Sequence, residues 1–131
     1  MIGLKVFLVL TILVVANSVS AQSTIDKWPA IKEFHEVTSQ TFHSAEEGNF
    51  TAIRACSGEI MDKVAMVLKS DIPAEFRTNA ILASFERLQL KSKALHKLIT
   101  VNGSDAVILK SITDLHDTFL QIVGLCYDAK K

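Results

Sequence analysis

The sequence predicts an all-α protein, an antiparallel up-down-up-down four-helix bundle that follows a cleaved signal peptide. Three observations lead to this fold class. The 131-residue chain has only two prolines and five glycines, so long stretches carry no residue that interrupts a helix. Apolar residues recur at spacings of three and four along four segments, which is typical of amphipathic helices. The sequence also lacks runs of alternating β-branched residues bounded by turns, which strands would require.

Residues 1–21 have the pattern of an export signal. Lys5 is followed by an apolar run over residues 6–16 and then by the small-residue cleavage box Val19-Ser20-Ala21. The run is far shorter than the ~20 residues that a transmembrane anchor needs. We therefore expect cleavage after Ala21 and an exported protein, either periplasmic or secreted. The mature domain, residues 22–131, is expected to have no membrane span.

The composition of the chain bears on which classes of molecule it could bind. The chain has 14 basic and 14 acidic residues and a formal net charge of +0, and removing Lys5 with the signal peptide leaves an excess of one acid. This balance gives no indication of a nucleic acid or an anionic membrane as partner. A mature chain of this length forms one domain. The sequence identifies no protein partner.

Two helices are predicted in the first half of the mature domain. Helix 1 is expected to begin near Asp26 as N-cap, with Pro29 in its first turn, and to end at Gly48 as C-cap. Asn49 is expected to cap helix 2, which ends near Ser70. The inward stripe of helix 1 is Trp28, Ile31, Phe34, Thr38, Phe42 and Ala45, and that of helix 2 is Ile53, Ser57, Ile60, Val64 and Val67.

Helix 3 is predicted as the longest, over residues 73–101, with Pro73 in its first turn. Asn102-Gly103 ends it, and Ser104 or Asp105 caps helix 4, which runs to about Tyr127. His96 is expected on the surface, beside a solvated basic face made by Arg87, Lys91, Lys93 and Lys97. The inward residues are Ile81, Phe85, Leu88, Ser92, Leu95 and Ile99 on helix 3, and Ile108, Ile112, Leu115, Phe119, Ile122, Val123 and Cys126 on helix 4.

Three histidines form the candidate site. If Trp28 lies opposite Tyr127 in an antiparallel bundle, His116 on helix 4 faces Ser39, one turn from both His35 and His43 on helix 1. Imidazoles from two facing helices, with carboxylates three and four residues after His43, have the character of a transition-metal site. The alternative is that each histidine lies at the core boundary and donates to a backbone carbonyl or a neighbouring side chain.

The candidate ligand sets follow from helix geometry. Eight residues separate His35 from His43, about 12 Å of helical rise, so one ion would strain to reach both. We expect either His35 with His116, or His43 with His116 and a carboxylate from Glu46 or Glu47. The predicted ligand is a divalent ion such as Zn²⁺, Cu²⁺ or Ni²⁺, and water completes its coordination.

The two cysteines are predicted to remain free, buried thiols. Cys56 falls on the inward side of helix 2 and Cys126 on that of helix 4, and these helices are diagonal in the bundle. Their separation would exceed the ~7 Å between Cα atoms that a disulfide tolerates. A disulfide in a different topology is the alternative, because an exported protein enters an oxidising compartment.

An exported chain of this size, with four helices and a histidine in the last helix facing the first, resembles the cytochrome b562/c′ class of periplasmic four-helix bundles. The c′ branch attaches haem through CxxCH in the last helix, whereas Cys126 stands alone after His116 here. The b562 branch uses a methionine early in helix 1, where only His35 is available. The resemblance therefore implies non-covalent haem b with His35 and His116 as axial ligands, as an alternative to a metal ion.

The segments WPAIKEFHEVTSQTFHSAEEGN and LHDTFLQIVGLC are also similar to small exported bacterial proteins. Those proteins carry a histidine where this chain has Leu120, so the resemblance implies that one potential ligand near His35 is missing here. Three functional hypotheses result: a metal-binding protein, a haem protein, and an interaction or structural bundle without a ligand. An enzyme is not expected, because the sequence has no nucleophile-histidine-acid set, paired carboxylates or phosphate loop.

Overall fold

The computed structural model describes residues 27–129, and that part of the chain is all-helical. It contains four α-helices: α1, Pro29–Glu46; α2, Thr51–Lys69; α3, Asn79–Thr100; and α4, Asp105–Ala129. A short 3₁₀ helix, Ala74–Phe76, lies between α2 and α3. The predicted all-α class and the four helices are confirmed. The predicted signal peptide and the proposed cap at Asp26 lie outside the described residues.

The four helices surround one apolar core. Each packs on two others, α1 and α3 both lying against α2 and α4. All the residues predicted to face inward are buried, except Cys56, Ile99 and Val123, which are partly buried. Burying each large apolar side chain stabilises the fold by about 1.5–3 kcal/mol, so the core is a sizeable source of stability by itself. Within residues 27–129, no helix combines the length and apolar character needed to cross a membrane.

The end of α1 is a Schellman motif. Glu47 is the C-cap and Gly48 follows it with φ +89°, so the C-cap lies one residue before the predicted one. The Gly48 N–H donates to the Ala45 carbonyl at 3.0 Å, and the Asn49 N–H donates to the Ser44 carbonyl at 2.8 Å. Glycine suits this position because a side chain disfavours positive φ. Phe50 occupies the N-cap of α2, while the side chain of Asn49 accepts from the Thr51 N–H at 3.1 Å.

The end of α3 repeats this motif with asparagine in place of glycine. Asn102 has φ +57°, its N–H donates to the Ile99 carbonyl at 3.0 Å, and the Gly103 N–H donates to the Leu98 carbonyl at 2.8 Å. Asparagine is the residue that most often replaces glycine in this conformation. Ser104 then caps α4 by accepting from the Val107 N–H at 3.4 Å. The predicted break at Asn102-Gly103 is confirmed.

The predicted start of the third helix at Pro73 is wrong. Pro73 precedes the 3₁₀ helix, and α3 begins six residues later at Asn79. Phe76 is fully buried and stacks on Trp28, with ring centroids 5.7 Å apart, so the chain leaves the helical path to place this ring in the core. Thr78 then caps α3 from an extended backbone conformation, accepting from the Ile81 N–H at 3.2 Å.

Two side chains join elements at the ends of the helices. The indole of Trp28, just before α1, donates to Ser70 Oγ at the end of α2 over 3.1 Å. Arg54, near the start of α2, donates to the Gly103 carbonyl at 3.1 Å and to the Asp105 carboxylate at 2.8 Å.

Lys91, predicted to be solvated, is instead partly buried and donates to α4 at Asp114 and Thr118.

Candidate functional site

His116 of α4 lies flat on a phenylalanine of α1. Its ring centroid is 4.3 Å from that of Phe42, and the two ring planes differ by 4°. Partial burial lowers the pKa of His116 below its ordinary value of 6.5, against the opposing effect of Asp117. The lowered pKa favours the neutral ring, which is the state that binds a metal ion.

His35 makes the reverse contact, from α1 to α4. It stacks on Phe119, with ring centroids 5.3 Å apart and an interplanar angle of 21°. Phe119 is fully buried and also packs against Phe34 at 5.2 Å. Partial burial lowers the pKa of His35, with Glu36 opposing and His43 reinforcing the shift. Each helix thus contributes one histidine that covers a buried phenylalanine of the other.

His43 lies further out, at the end of α1. Its side chain is 64% exposed, and Nδ1 is 3.3 Å from Glu46 Oε1, one helical turn away. Its ring centroid is 5.6 Å from that of Phe42, so His43 and His116 contact the same phenylalanine. Glu47, the other predicted carboxylate, is exposed at the C-cap and makes no side-chain hydrogen bond or ion pair within residues 27–129.

The structure brings His35, His43, His116 and Glu46 near one another, but it does not arrange them as a complete metal site. His116 interacts electrostatically with His35, His43 and Glu46, which places all four groups on one side of the molecule. In the described range, however, no cluster of three or more His, Cys, Asp or Glu side chains is arranged to hold a metal ion. Stacking occupies the faces of the rings, whereas a metal binds the nitrogen lone pairs in the ring plane. A histidine can therefore stack on a phenylalanine and bind a metal ion at the same time.

The prediction that His96 lies on the surface is wrong. His96 is partly buried between α2 and α3, and its Nδ1 is 2.9 Å from Oγ of the buried Ser57. Its ring lies over Gly58, where a Cβ atom would come within 3.5 Å of Cε1. The sequence carried a signal for this contact, because a serine at a predicted core position needs a hydrogen-bond partner. His96 makes the boundary contact that was the alternative interpretation for the other three histidines.

Both cysteines are free thiols, and they differ in environment. Cys126 is buried, and desolvation raises its pKa to about 11. Cys56 is partly buried rather than buried as predicted. Neither thiol belongs to the predicted ligand sets, so the candidate site consists of the histidines and their neighbouring carboxylates.

Two open grooves lie elsewhere on the surface. One, of about 560 Å³, runs along α3 and α4 beside Leu98, Val107 and Asp117, and the other, of about 510 Å³, lies beside Trp28 and Met66. Their lining includes none of the three histidines of the candidate site. Neither of these two grooves coincides with the histidines, and we place more weight on the histidine chemistry because specific polar groups determine what a site binds.

Comparison of the chain with protein families, with curated proteins and with solved structures gave no match. The function is therefore argued from the residues and their geometry.

Proposed function

We propose that this chain is an exported protein, periplasmic or secreted, that binds a divalent transition-metal ion through histidines of α1 and α4. The observation that carries the proposal is the pair of contacts on Phe42, which both His43 and His116 approach. Partial burial lowers the pKa of His116 and so favours neutral imidazole, the form that coordinates Zn²⁺, Cu²⁺ and Ni²⁺.

We also propose that the four helices alternate in direction, as in an up-down-up-down bundle. The Trp28–Ser70 hydrogen bond supports this arrangement for α1 and α2, because it joins the start of one helix to the end of the other. The ring pairs His35–Phe119 and Phe42–His116 support it for α1 and α4, because residue numbers rise along α1 as they fall along α4. In this topology the three histidines lie along the boundary between α1 and α4.

His116 is the ligand common to both possible sets. One set adds His43 and Glu46, which already lie 3.3 Å apart, and the exposed His43 side chain turns toward His116 at little cost in packing. The other set pairs His116 with His35. The first set fits better because it offers a carboxylate as well as two imidazoles, with water completing the coordination. Such a site has weak to moderate affinity.

Haem b with axial His35 and His116 is the less favoured hypothesis. A porphyrin held between these rings would have to part them from Phe119 and Phe42, both of which belong to the core. A metal ion needs only the ring nitrogens. A visible spectrum of protein purified after expression with added haem tests this alternative, because bound haem gives a Soret band. If neither haem nor a metal ion binds, the remaining hypothesis is an interaction or structural bundle without a ligand.

Calorimetric titration of tag-free protein with Zn²⁺, Cu²⁺ and Ni²⁺ tests the proposal. His116→Gln should weaken binding by about tenfold or more, which corresponds to about 1.4 kcal/mol. His96→Gln is the matched control and should bind normally, because His96 contacts Ser57 on the other side of the protein. The proposal is rejected if no ion binds, or if the His96 variant loses as much affinity as the His116 variant.

A further inference from the structure

We propose that the outer face of α3 binds the surface of an anionic lipid bilayer. The α3 outer face consists of the exposed residues Arg87, Leu90, Lys93, Lys97 and Val101. Metal binding is not required for this contact, because the histidines of the candidate site lie on α1 and α4. The contact also differs from a membrane span, since α3 stays packed on α2 and α4 and meets the lipid with its outer side.

The balanced charge of the whole chain hides a separation of charge between two halves of the bundle. With histidines neutral, α3 has four basic residues against one acidic and its neighbour α2 has three against two, so this half carries +4. On the other side, α4 has one basic residue against four acidic and its neighbour α1 has one against three, so that half carries −5. An anionic surface therefore attracts the α2–α3 half and repels the α1–α4 half.

The cations of the α3 outer face are not neutralised by carboxylates. Lys93 and Lys97 are exposed, and neither forms an ion pair within residues 27–129. The Arg87 guanidinium is exposed too and donates to the neutral hydroxyl of Ser84 at 2.9 Å. Glu86 is the one acidic residue of α3, so the face keeps an excess of two positive charges. Anionic groups outside the molecule can therefore approach it.

Two large apolar side chains lie among these cations. Leu90 is 66% exposed and Val101, the C-cap of α3, is 65% exposed, the highest values for large apolar residues within residues 27–129. Their spacing in the chain puts them about 20° apart around the helix axis and about 16 Å apart along it. Lys93 and Lys97 lie between them, within about 60° of the same line. Apolar and basic residues combined along one helical side are typical of helices that lie on membrane surfaces.

A lipid bilayer fits this pattern better than a nucleic acid or an acidic protein. Phosphate groups at the bilayer surface attract Lys93 and Lys97, while the acyl region just beneath admits the side chains of Leu90 and Val101. The aliphatic stems of the lysines let the apolar residues enter while the ammonium groups stay among the phosphates. A nucleic acid would meet the cations but leave the two apolar side chains in water. Because the excess charge is small, we expect weak binding that fades as salt screens the attraction.

Sedimentation with lipid vesicles tests this inference on the chain cleaved after Ala21, because the apolar run over residues 6–16 would itself enter a bilayer. In EDTA, which removes any bound metal ion, vesicles of equal parts phosphatidylglycerol and phosphatidylcholine should bind the protein, and vesicles of phosphatidylcholine alone should not. Lys93→Gln/Lys97→Gln should weaken binding about tenfold or more. Lys69→Gln/Lys110→Gln removes the same charge from exposed positions on α2 and α4, and it should bind within about twofold of the unsubstituted protein because those positions lie off the α3 outer face.

The apolar part of the α3 outer face has its own matched pair of variants. Leu90→Gln should weaken binding about threefold or more, because it removes a side chain that enters the acyl region. Leu120→Gln, at a leucine 51% exposed on α4, should leave binding unchanged. Failure to bind the anionic vesicles, equal binding to phosphatidylcholine alone, or equal losses within either matched pair overturns the proposal. Tight binding to soluble polyglutamate that Leu90→Gln leaves unchanged would indicate an acidic protein as partner, and that result overturns the bilayer as the occupant.

Discussion

Ser57 of α2 and His96 of α3 are joined by a hydrogen bond of 2.9 Å between Oγ and Nδ1. Ser57 is buried and occupies a position in the apolar stripe of its helix, so its hydroxyl has little access to water. The imidazole reaches it from the boundary of the core. This pair fixes the position of α2 against α3 with a directional contact among otherwise apolar ones.

Removing the imidazole should destabilise the fold. His96→Ala leaves the Ser57 hydroxyl buried without its partner, which costs about 1–3 kcal/mol in the free energy of unfolding. Urea denaturation measures this value. In the double variant Ser57→Ala/His96→Ala the losses should be less than additive, because the orphaned hydroxyl is gone. Fully additive losses would show that the hydrogen bond does not couple the two residues.

Stability should fall in mild acid because of His35 and His116. Burial lowers both pKa values below 6.5 in the folded state, so the unfolded chain takes up protons first as the pH falls. The contribution is complete above pH 6.5 and is lost between 6.5 and the lowered pKa values. Asp117 and Glu36 reduce the effect without reversing it. Thermal melts across this range should show a flatter pH dependence for His116→Gln than for the unsubstituted protein.

Two threonines one turn apart on α1 should respond oppositely to valine. The buried Thr38 hydroxyl has no hydrogen-bond partner among the described residues, whereas Thr41 Oγ1 donates to the Thr38 carbonyl at 2.9 Å. Thr38→Val should therefore be neutral or raise the free energy of unfolding by about 1 kcal/mol, and Thr41→Val should lower it by about 1 kcal/mol. Chemical denaturation of the two variants provides the comparison. Equal destabilisation would mean that Thr38 has a polar partner after all.

The thiols should react in a fixed order. Cys126 is buried and its pKa is raised to about 11, so its reactive thiolate is scarce at neutral pH. Iodoacetamide should modify the partly buried Cys56 first in the folded protein, and both cysteines after denaturation without a reducing agent. Mass spectrometry of peptides locates the modifications. Unmodified cysteines after denaturation would indicate a disulfide and hence a different topology.

Helix positions could be predicted from the sequence because the apolar stripe determines which face is buried. The connection between α2 and α3 could not, since its path depends on Phe76 packing against Trp28, 48 residues earlier in the chain. No glycine or proline interrupts residues 74–78, so a helix that starts at Pro73 was the simpler interpretation of the sequence. Only the tertiary contact shows that Phe76 belongs to a separate turn.

The candidate site could also be predicted only in part. Helical register alone placed His116 near His35 and His43, and their electrostatic interaction supports that neighbourhood. Register does not determine side-chain rotamers, so the flat contacts on Phe42 and Phe119 were not foreseen. His96 was misassigned because its neighbour Lys97 indicated a solvated face, whereas the deciding partner, Ser57, lies on another helix.

The chain has one tryptophan, and its surroundings make it a local optical reporter. Trp28 is buried between Phe76 and Phe85 and hydrogen-bonds Ser70, so its fluorescence comes from the junction of α1, α2 and the 3₁₀ helix. Opening of that junction exposes the indole to water and shifts its emission to longer wavelength. His43 lies about four turns of helix away, so an ion bound there should leave the emission maximum unchanged. A single emission spectrum therefore distinguishes loosening of this end of the molecule from events at the histidines.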